Sequence, residues 1–497
     1  MADTTQTQST EKDPQQEPER DTEPTDDLVS TQHSITIKRR KLAYTSTTGR
    51  MVLRKETLTD GAAQGSAPAA EVFLTAYTLD GAKEQNRPVT FAFNGGPGSA
   101  SVFLHMGVLG PRRALAGDVD ALQGPPYGLA DNLETLLVDS DLVFIDPVST
   151  GYSRAVKGEK PGDYHGFTAD VESVGEVIRL WTARNDRWLS PKFVAGESYG
   201  TIRAAALAEH LQSRHGMYLN GIMLLSSVLD MGTVRFTEGN DLPYALYLPT
   251  YAAIAHYHGL HGDRDLHELL AEAEEFADRD YIWALNRGAR LSHAERSATV
   301  SRIAALTGLS EDYVDRVDLR IEHLRFFAEL LRHRRLTVGR LDSRFTGPAA
   351  DYGREHPDDD PGVSRIMGAY AAGFNHYVRS ELGYANDLPY DLLSMEVNNS
   401  WSYKEFEGAS VTVADKLAAA MRINPHLRVH VAFGYFDGGT PYYAAEHVLA
   451  HLHIPAELAG NIERAYYPAG HMMYTHEPSR IKQAKDLSDF VKQSTGS

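Results

Sequence analysis

The 497-residue sequence predicts an α/β fold, with helices flanking a mostly parallel central sheet and a helical cap inserted between two parts of the core. Two observations predict it. Up to about residue 230, runs of β-branched and aliphatic residues alternate with segments of helical periodicity, which is the pattern of a parallel sheet. Beyond that point the strand signal disappears for about 170 residues, and Leu, Ala and Glu at helical spacing indicate helices instead.

The elements of the core can be assigned in order. SITIKRRKLAYTS, RMVLRK and EVFLTAYTL alternate apolar and polar residues and predict antiparallel strands at an edge of the sheet. PVTFAFNGG, DLVFIDP, KFVAGES and GIMLLSSVL predict buried strands, and helices are predicted in FTADVESVGEVIRLWTAR and TIRAAALAEHLQSRH. The core resumes with a helix in VADKLAAAMRIN, strands at LRVHVAFG and RAYYPAG, and helices from about Tyr442 and Ser479.

These assignments divide the chain into four segments. Residues 1–32 are rich in Thr, Gln, Glu, Asp and Pro, and they predict a disordered acidic tail because they cannot bury enough apolar surface to offset the entropy of ordering. Residues 33–230 and 406–497 are predicted to form the two parts of the core. Residues 231–405 are predicted to form the helical cap.

Composition excludes several classes of function. The net charge of −18 disfavours nucleic acid as a partner, because phosphate neutralisation needs clustered Lys and Arg. The absence of cysteine excludes disulfides, thiolate metal sites and a thiol nucleophile. No signal-like segment or bilayer-length apolar run is found, so we expect a cytoplasmic protein that does not bind membranes. We predict no cofactor and no metal, since His256, His258 and His261 lack the pattern of a known zinc site.

The segment GESYG lies between the strand KFVAG and the helix TIRAAALAEHL. Gly196 and Gly200 permit a sharp strand-to-helix turn, because a Cβ at either position would crowd the neighbouring backbone. Such a turn projects the hydroxyl of Ser198 above the sheet, near the N-terminus of a helix. Ser198 is therefore the candidate nucleophile. The alternative is a glycine turn with an idle serine.

A serine hydroxyl near pH 7 needs a base to take its proton, and that base needs an acceptor to orient it. In the α/β-hydrolase fold these groups follow the chain order serine, acid, histidine. VHVAFGYFDGGTP places Asp437 just after a strand, and YYPAGHMMY places His471 in the loop after the next strand. The sequence therefore predicts a triad of Ser198, Asp437 and His471. The alternatives are a loop aspartate and a buried structural histidine.

The segment FAFNGGPGSAS carries a glycine-rich turn at residues 94–98, directly after a buried strand. Glycines at such a place let backbone amides approach a developing oxyanion. We predict that the amides of Gly96 and Tyr199 form the oxyanion hole. The segment is not a phosphate loop, because no Lys-Ser or Lys-Thr follows at the required spacing. A plain glycine turn is the alternative.

The segments NGGPGS, GESYGT, GYFD and AGHM resemble the signature segments of the serine carboxypeptidase family, in the same order and spacing. The resemblance extends from about Ser34 to the C-terminus and is better in the core than in the cap. It implies that Ser198 is the nucleophile, that His471 is the general base and acid, and that Asp437 orients the histidine. It also implies the α/β-hydrolase fold, here in a member without cysteines.

The resemblance further implies that Asn94 and Glu197 bind the terminal carboxylate of a peptide. A protonated Glu197 can donate to that carboxylate, whereas an ionised one repels it, so acid pH is implied. Two positions depart from the family pattern. Family members usually carry a second glutamate where this chain has Val108, and a cysteine where it has Ser99. Without the second acid, the substrate class stays open.

The leading hypothesis is a serine-type carboxypeptidase that removes C-terminal residues from peptides through an acyl-enzyme, with specificity set by the cap. Val108 motivates an alternative, an esterase or acyltransferase on the same scaffold that acts on a small acyl substrate. A catalytically silent binding protein is less favoured, since its expected signature, a replaced triad residue, is not seen.

Overall fold

A computed structural model of the chain describes residues 23–82 and 86–496. The strands are β1 (Asp27–Ile37), β2 (Arg40–Thr59), β3 (Ala62–Leu79), β4 (Val89–Phe93), β5 (Arg112–Leu115), β6 (Gly128–Asp131), β7 (Asp141–Ile145), β8 (Arg154–Ala155), β9 (Lys192–Glu197), β10 (Gly221–Leu225), β11 (Thr337–Val338), β12 (Thr346–Gly347), β13 (Arg428–Gly434) and β14 (Ile462–Tyr467). The helices are α1 (Val102–Leu104), α2 (Phe167–Arg184), α3 (Tyr199–His215), α4 (Leu242–Tyr257), α5 (Leu266–Phe276), α6 (Ile282–Arg287), α7 (His293–Thr307), α8 (Glu311–Arg316), α9 (His323–Glu329), α10 (Pro361–Ser380), α11 (Met395–Ser400), α12 (Ala414–Ile423), α13 (Tyr442–Ala450) and α14 (Glu477–Thr495). Within these ranges no helix combines the length and apolar character needed to cross a bilayer.

The central sheet has the strand order β1-β2-β3-β7-β4-β9-β10-β13-β14, and β8 pairs with β3 beside this path. The pairs β1–β2, β2–β3 and β3–β7 are antiparallel. All pairs from β7–β4 to β13–β14 are parallel. The predicted α/β fold, with a mostly parallel sheet and antiparallel strands at one edge, is confirmed. Because parallel strands end at the same edge of a sheet, the segments that follow β4, β9, β13 and β14 meet there.

Both faces of this sheet are covered by helices, which explains the near-continuous apolar sequences of its inner strands. In β10, Ile222 and Leu224 belong to an apolar cluster shared with α2 and α3. Met223 and Leu225 point to the opposite face and pack in a cluster shared with α10 and α14. The period of two along the strand therefore divides the core into two layers.

The inserted helices α4 to α9 form a third apolar cluster of their own. Its packing includes Tyr251 stacked on Phe326, with ring centroids 4.0 Å apart. The cap predicted at residues 231–405 also takes in α10, but this helix packs on the central sheet: Phe374 lies 6.3 Å from Phe73 of β3, centroid to centroid. Assigning α10 to the cap is therefore wrong. Helical periodicity reveals an apolar face but not the surface that the face covers.

The tail predicted at residues 1–32 also needs correction. Residues 1–22 lie outside the described residues, but β1 begins at Asp27 and pairs with β2 along its whole length. Ile35 is buried in the core, and the Tyr384 hydroxyl donates to the carboxylate of Asp27. Residues 27–32 are thus part of the sheet. Their mixed polar sequence hides this, because an edge strand is held largely by its backbone hydrogen bonds.

Candidate active site

The predicted site residues meet at the carboxyl edge of the parallel strands. There they surround a cavity of about 320 Å³, which is large enough to hold a small ligand. The predicted residues that line it are Asn94, Gly96, Glu197, Ser198, Tyr199 and His471. Asp437 is fully buried behind the histidine. The structure therefore brings together residues from four strand ends that are widely separated in the chain.

Ser198 occupies the sharp turn between β9 and α3, with a φ of 61°, which few non-glycine residues adopt. The flanking glycines make this turn possible. A Cβ on Gly196 would lie 2.0 Å from the carbonyl oxygen of Gly200. A Cβ on Gly200 would lie 3.0 Å from the carbonyl oxygen of Asn94. The Ser198 amide donates to the carbonyl of Leu225, which ties the turn to the neighbouring strand β10. The strained backbone presents the hydroxyl to the cavity.

His471 and Asp437 form a buried pair in which Nδ1 of the ring lies 2.7 Å from Oδ2 of the carboxylate. The other oxygen, Oδ1, accepts the amides of Gly439 and Thr440 at 2.8 and 3.0 Å. The histidine backbone is held as well, since its amide donates to the carbonyl of Leu341. Nδ1 is thereby committed to the carboxylate, which leaves Nε2 as the ring nitrogen able to serve as a base.

Charge decides the protonation of this histidine. Burial alone would lower its pKa, but the carboxylate of Asp437, with a smaller contribution from Glu197, raises the pKa of His471 above its ordinary value. Within the described residues the hydroxyl of Ser198 has no hydrogen-bond partner. The hydrogen bond between a serine nucleophile and its histidine base commonly forms or tightens only when substrate is bound.

The glycine loop after β4 lies against the turn that carries Ser198. A Cβ on Gly95 would come within 2.4 Å of the Tyr199 amide nitrogen, so only glycine permits this approach. Gly96 follows with a φ of 101°, again a conformation that favours glycine. In the part of the chain that the structure describes, neither the Gly96 amide nor the Tyr199 amide has a backbone acceptor. Both amides border the cavity and are available to a ligand oxygen.

Glu197 is buried beside this loop, and the side-chain amide of Asn94 donates to its Oε1 at 2.7 Å. Its Oε2 has no hydrogen-bond partner among the described residues. Burial raises the pKa of Glu197 to about 7, although His471, Tyr474 and Asn94 hold part of the rise back. The carboxyl group is therefore neutral in acid and ionised in base, with the transition close to neutral pH.

The position of the missing second acid is occupied by apolar packing. Val108 is buried in the core cluster that includes α10, and its carbonyl accepts the side-chain amide of Asn132. The hydroxyl of Tyr474 acts on Glu197, because it lowers the pKa of that carboxyl group. This hydroxyl is buried and, among the described residues, has no hydrogen-bond partner. The carboxyl group of Glu197 therefore has the side-chain amide of Asn94 as its partner and a neutral phenol nearby, instead of a second carboxyl group.

Sequence reasoning missed three residues of the site. The hydroxyl of Thr440 lies 2.7 Å from Asp437 Oδ2 and 3.3 Å from His471 Nδ1, so it contacts both members of the pair. Its place three residues after the predicted acid was the one available signal. Tyr474 stands three residues after His471, in the segment that identified the histidine. Arg340 gave no signal, since no motif surrounds it and it belongs to the segment predicted as cap.

The three histidines near the end of α4 do not meet at one point. Nε2 of His256 lies 2.7 Å from the carbonyl of Arg264, and Nε2 of His258 lies 2.8 Å from that of Ser343. Nε2 of His261 lies 3.0 Å from a third carbonyl. Each ring therefore bonds to the backbone of a different segment, that of His261 to the end of α7.

Comparison with known proteins agrees with the motifs. A family model described as serine carboxypeptidase matches residues 69–471. Among solved structures the chain is similar to Kex1Δp, a prohormone-processing carboxypeptidase from Saccharomyces cerevisiae, with a TM-score of 0.54 and 14% identity over 91% of each chain. It also matches proline iminopeptidase from Mycobacterium smegmatis, with a TM-score of 0.37 and 13% identity over 89% of this chain and 98% of that chain. A search of curated proteins finds no match. Because the family match spans most of its length, the chain belongs to the serine carboxypeptidase family, a family of serine hydrolases.

Proposed function

We propose that this protein removes the C-terminal residue of peptides through an acyl-enzyme formed on Ser198. The observation that carries the proposal is the buried Asp437–His471 pair, which lies in the wall of the same cavity as the hydroxyl of Ser198. A serine at a strained strand-to-helix turn, together with an oriented base, is what acyl transfer requires.

In the proposed reaction, Nε2 of His471 takes the hydroxyl proton while Ser198 Oγ attacks the scissile carbonyl carbon. The amides of Gly96 and Tyr199 donate to the resulting oxyanion. The C–N bond then breaks, and His471 gives its proton to the leaving amine. In the second half, His471 takes a proton from water, the hydroxide oxygen attacks the ester carbonyl, and the proton returns to Ser198 Oγ as the acid leaves.

Glu197 and Asn94 supply the preference for a free C-terminus in this proposal. Asn94 holds one oxygen of Glu197, so the other, unpartnered oxygen can carry the proton that a substrate carboxylate accepts. The same geometry also supports a second candidate. Because Val108 leaves Glu197 without an acidic partner, recognition of the terminal carboxylate is weaker than with two acids, and an esterase or acyltransferase with a small acyl substrate is the alternative.

A panel of N-blocked dipeptides, their C-terminal amides and the matching esters tests the proposal. We expect higher kcat/KM for the free acids than for the amides at acid pH. An enzyme that hydrolyses the esters but none of the free-acid peptides would instead be the esterase or acyltransferase.

Substitution of Ser198 tests the nucleophile. Ser198→Ala removes only the attacking oxygen, at a turn outside the core, so kcat should fall about 10⁶-fold, as for the nucleophile of subtilisin, without loss of folding. A fluorophosphonate should label the native chain at Ser198 and leave the variant unlabelled. If the pure, folded variant keeps more than a few per cent of the activity, the assignment is wrong.

A further inference from the structure

The cavity wall contains an arginine that, within the described residues, forms no salt bridge. Arg340 lines the cavity together with Ser198 and His471. Within the described residues its guanidinium forms no salt bridge and no hydrogen bond. Its neighbour Arg344 is different, because that guanidinium lies 2.6 Å from the carboxylate of Asp342. Arg344 is thus neutralised by a carboxylate, whereas Arg340, which lines the cavity, forms no such pair within the described residues.

The backbone fixes the position of Arg340 beside the Asp437 loop. Its carbonyl accepts the amide of Gly438 at 2.9 Å, and its amide donates to Asp360 at 2.9 Å. A Cβ on Gly439 would lie 3.2 Å from Arg340 Nη1, so the guanidinium passes closely over a residue without a side chain. The charge is thereby held next to the acid–histidine pair, on a loop anchored at both backbone groups.

Charges of opposite sign act on His471. Arg340 lowers the pKa of the histidine, and Glu197 raises it. Asp360 also feels Arg340, but the two side chains lie beyond salt-bridge distance, and the Asp360 carboxylate already accepts the amides of Leu341 and Gly362. Arg340 therefore keeps unused donors in a partly enclosed site. A cation in such a place is stabilised when a ligand supplies the missing anion.

We propose that Arg340 binds the side-chain carboxylate of the substrate residue on the acyl side of the scissile bond, so that the enzyme prefers Glu or Asp there. A guanidinium presents a planar fork of donors that matches a carboxylate. The acyl side follows from the arrangement of the site. Asn94 follows β4 and Glu197 ends β9, and these two residues take the leaving residue. Arg340 lies beside the loop that carries Asp437, because its carbonyl accepts the amide of Gly438. This inference rests on the proposed function.

The test compares isosteric substrates that differ only in charge. N-blocked Glu-Ala and Gln-Ala dipeptides are assayed beside N-blocked Glu and Gln esters, which have the same acyl part but no C-terminal residue. We expect the wild type to favour Glu over Gln in both series. Arg340→Gln should reduce that ratio about tenfold or more, as expected for a charge-assisted hydrogen bond. The ratio is taken within one enzyme, so a change in the pKa of His471 that alters activity on both substrates cancels from it. Arg340→Lys should keep part of the preference.

Arg335→Gln is the matched control, because Arg335 is an exposed arginine of the same segment outside the cavity, and its removal should leave the ratio unchanged. Equal Glu-to-Gln ratios in the wild type and Arg340→Gln would overturn the inference. So would a charge preference that appears only for the leaving residue or only for the free C-terminus. If no dipeptide is cleaved, the carboxypeptidase proposal fails, but the ester series still decides the role of Arg340.

Discussion

Burial raises the pKa of the carboxyl group of Glu197 to about 7, and the neighbouring His471, Tyr474 and Asn94 limit the rise. In the neutral form it can donate to a substrate carboxylate, and in the ionised form it repels that carboxylate. The ratio of kcat/KM for free-acid peptides to that for the matching amides should therefore fall as pH rises, with a midpoint near the pKa of about 7. Glu197→Gln should make the ratio independent of pH, because a carboxamide does not titrate.

Tyr474→Phe gives this prediction an internal control. The Tyr474 hydroxyl favours the ionised form of Glu197, so its removal should move the midpoint to higher pH without abolishing the activity. The measurement is the acid-to-amide ratio of kcat/KM as a function of pH for the wild type and for Tyr474→Phe. If Glu197→Gln retains the full pH dependence of the acid-to-amide ratio, another group binds the carboxylate.

Residues that depend on local geometry could be identified from the sequence. Ser198 was predictable because its turn needs glycines at fixed positions, and Asp437 and His471 were predictable because the fold places them after particular strands. The roles of Arg340 and Tyr474 were not predictable, although Tyr474 stands only three residues after His471. Their positions in the site depend on how distant segments pack against the strand ends, and no short sequence pattern encodes that contact.

At the scale of elements, the sequence predicts the inner strands well and the periphery poorly. The inner strands are buried on both faces, so their composition alone identifies them. The edge strand β1 and the helix α10 are different cases. The sequence predicts half of β1 as a polar tail and α10 as part of the cap. Strand pairing and helix packing depend on the partner surface as well as on the segment itself, so the segment alone does not reveal them.

The position of Ile35 in β1 gives a test of this correction. Its side chain is buried in the core, so Ile35→Ala should lower the free energy of unfolding by about 2–5 kcal/mol. The neighbouring Thr36 is exposed, and Thr36→Ala should change it by less than about 0.5 kcal/mol. Removal of residues 1–32 should also destabilise the chain, because β2 loses much of its edge partner. Unchanged denaturant midpoints for both the truncated chain and Ile35→Ala would show that β1 does not contribute to stability.

At the scale of the whole molecule, the two apolar layers on either side of the central sheet have different roles. The layer with α2 and α3 supports the turn that carries Ser198, and there the buried Arg203 joins Asp170 to the Asn94 carbonyl at 2.7 Å each. The opposite layer contains Val108 and the aromatic side chains of α10. It also contains His105, which stacks on Phe144 with centroids 4.1 Å apart and whose Nε2 lies 2.7 Å from the Tyr77 hydroxyl.

Burial lowers the pKa of His105 to about 3, which links this layer to the pH dependence of global stability. In the unfolded chain the histidine takes up a proton below about pH 6.5, whereas in the folded chain it stays neutral until about pH 3. Unfolding between these limits therefore binds a proton, and stability must fall as pH falls. The contribution of one such group is about 1.4 kcal/mol per pH unit.

His105→Gln isolates this contribution, because the carboxamide can still bond to Tyr77 but cannot titrate. The free energy of unfolding should be measured by denaturant titration between pH 6 and pH 4 for both proteins. The other histidines are common to the two chains, so their effects cancel in the difference. The variant should be less stable than the wild type near pH 7, where it loses packing, and its stability should fall less steeply with acid, by about 1.4 kcal/mol per pH unit. If the free energy of unfolding has the same pH dependence in the two proteins, His105 is protonated in the folded state over this pH range, and the aromatic layer accommodates a charged imidazolium.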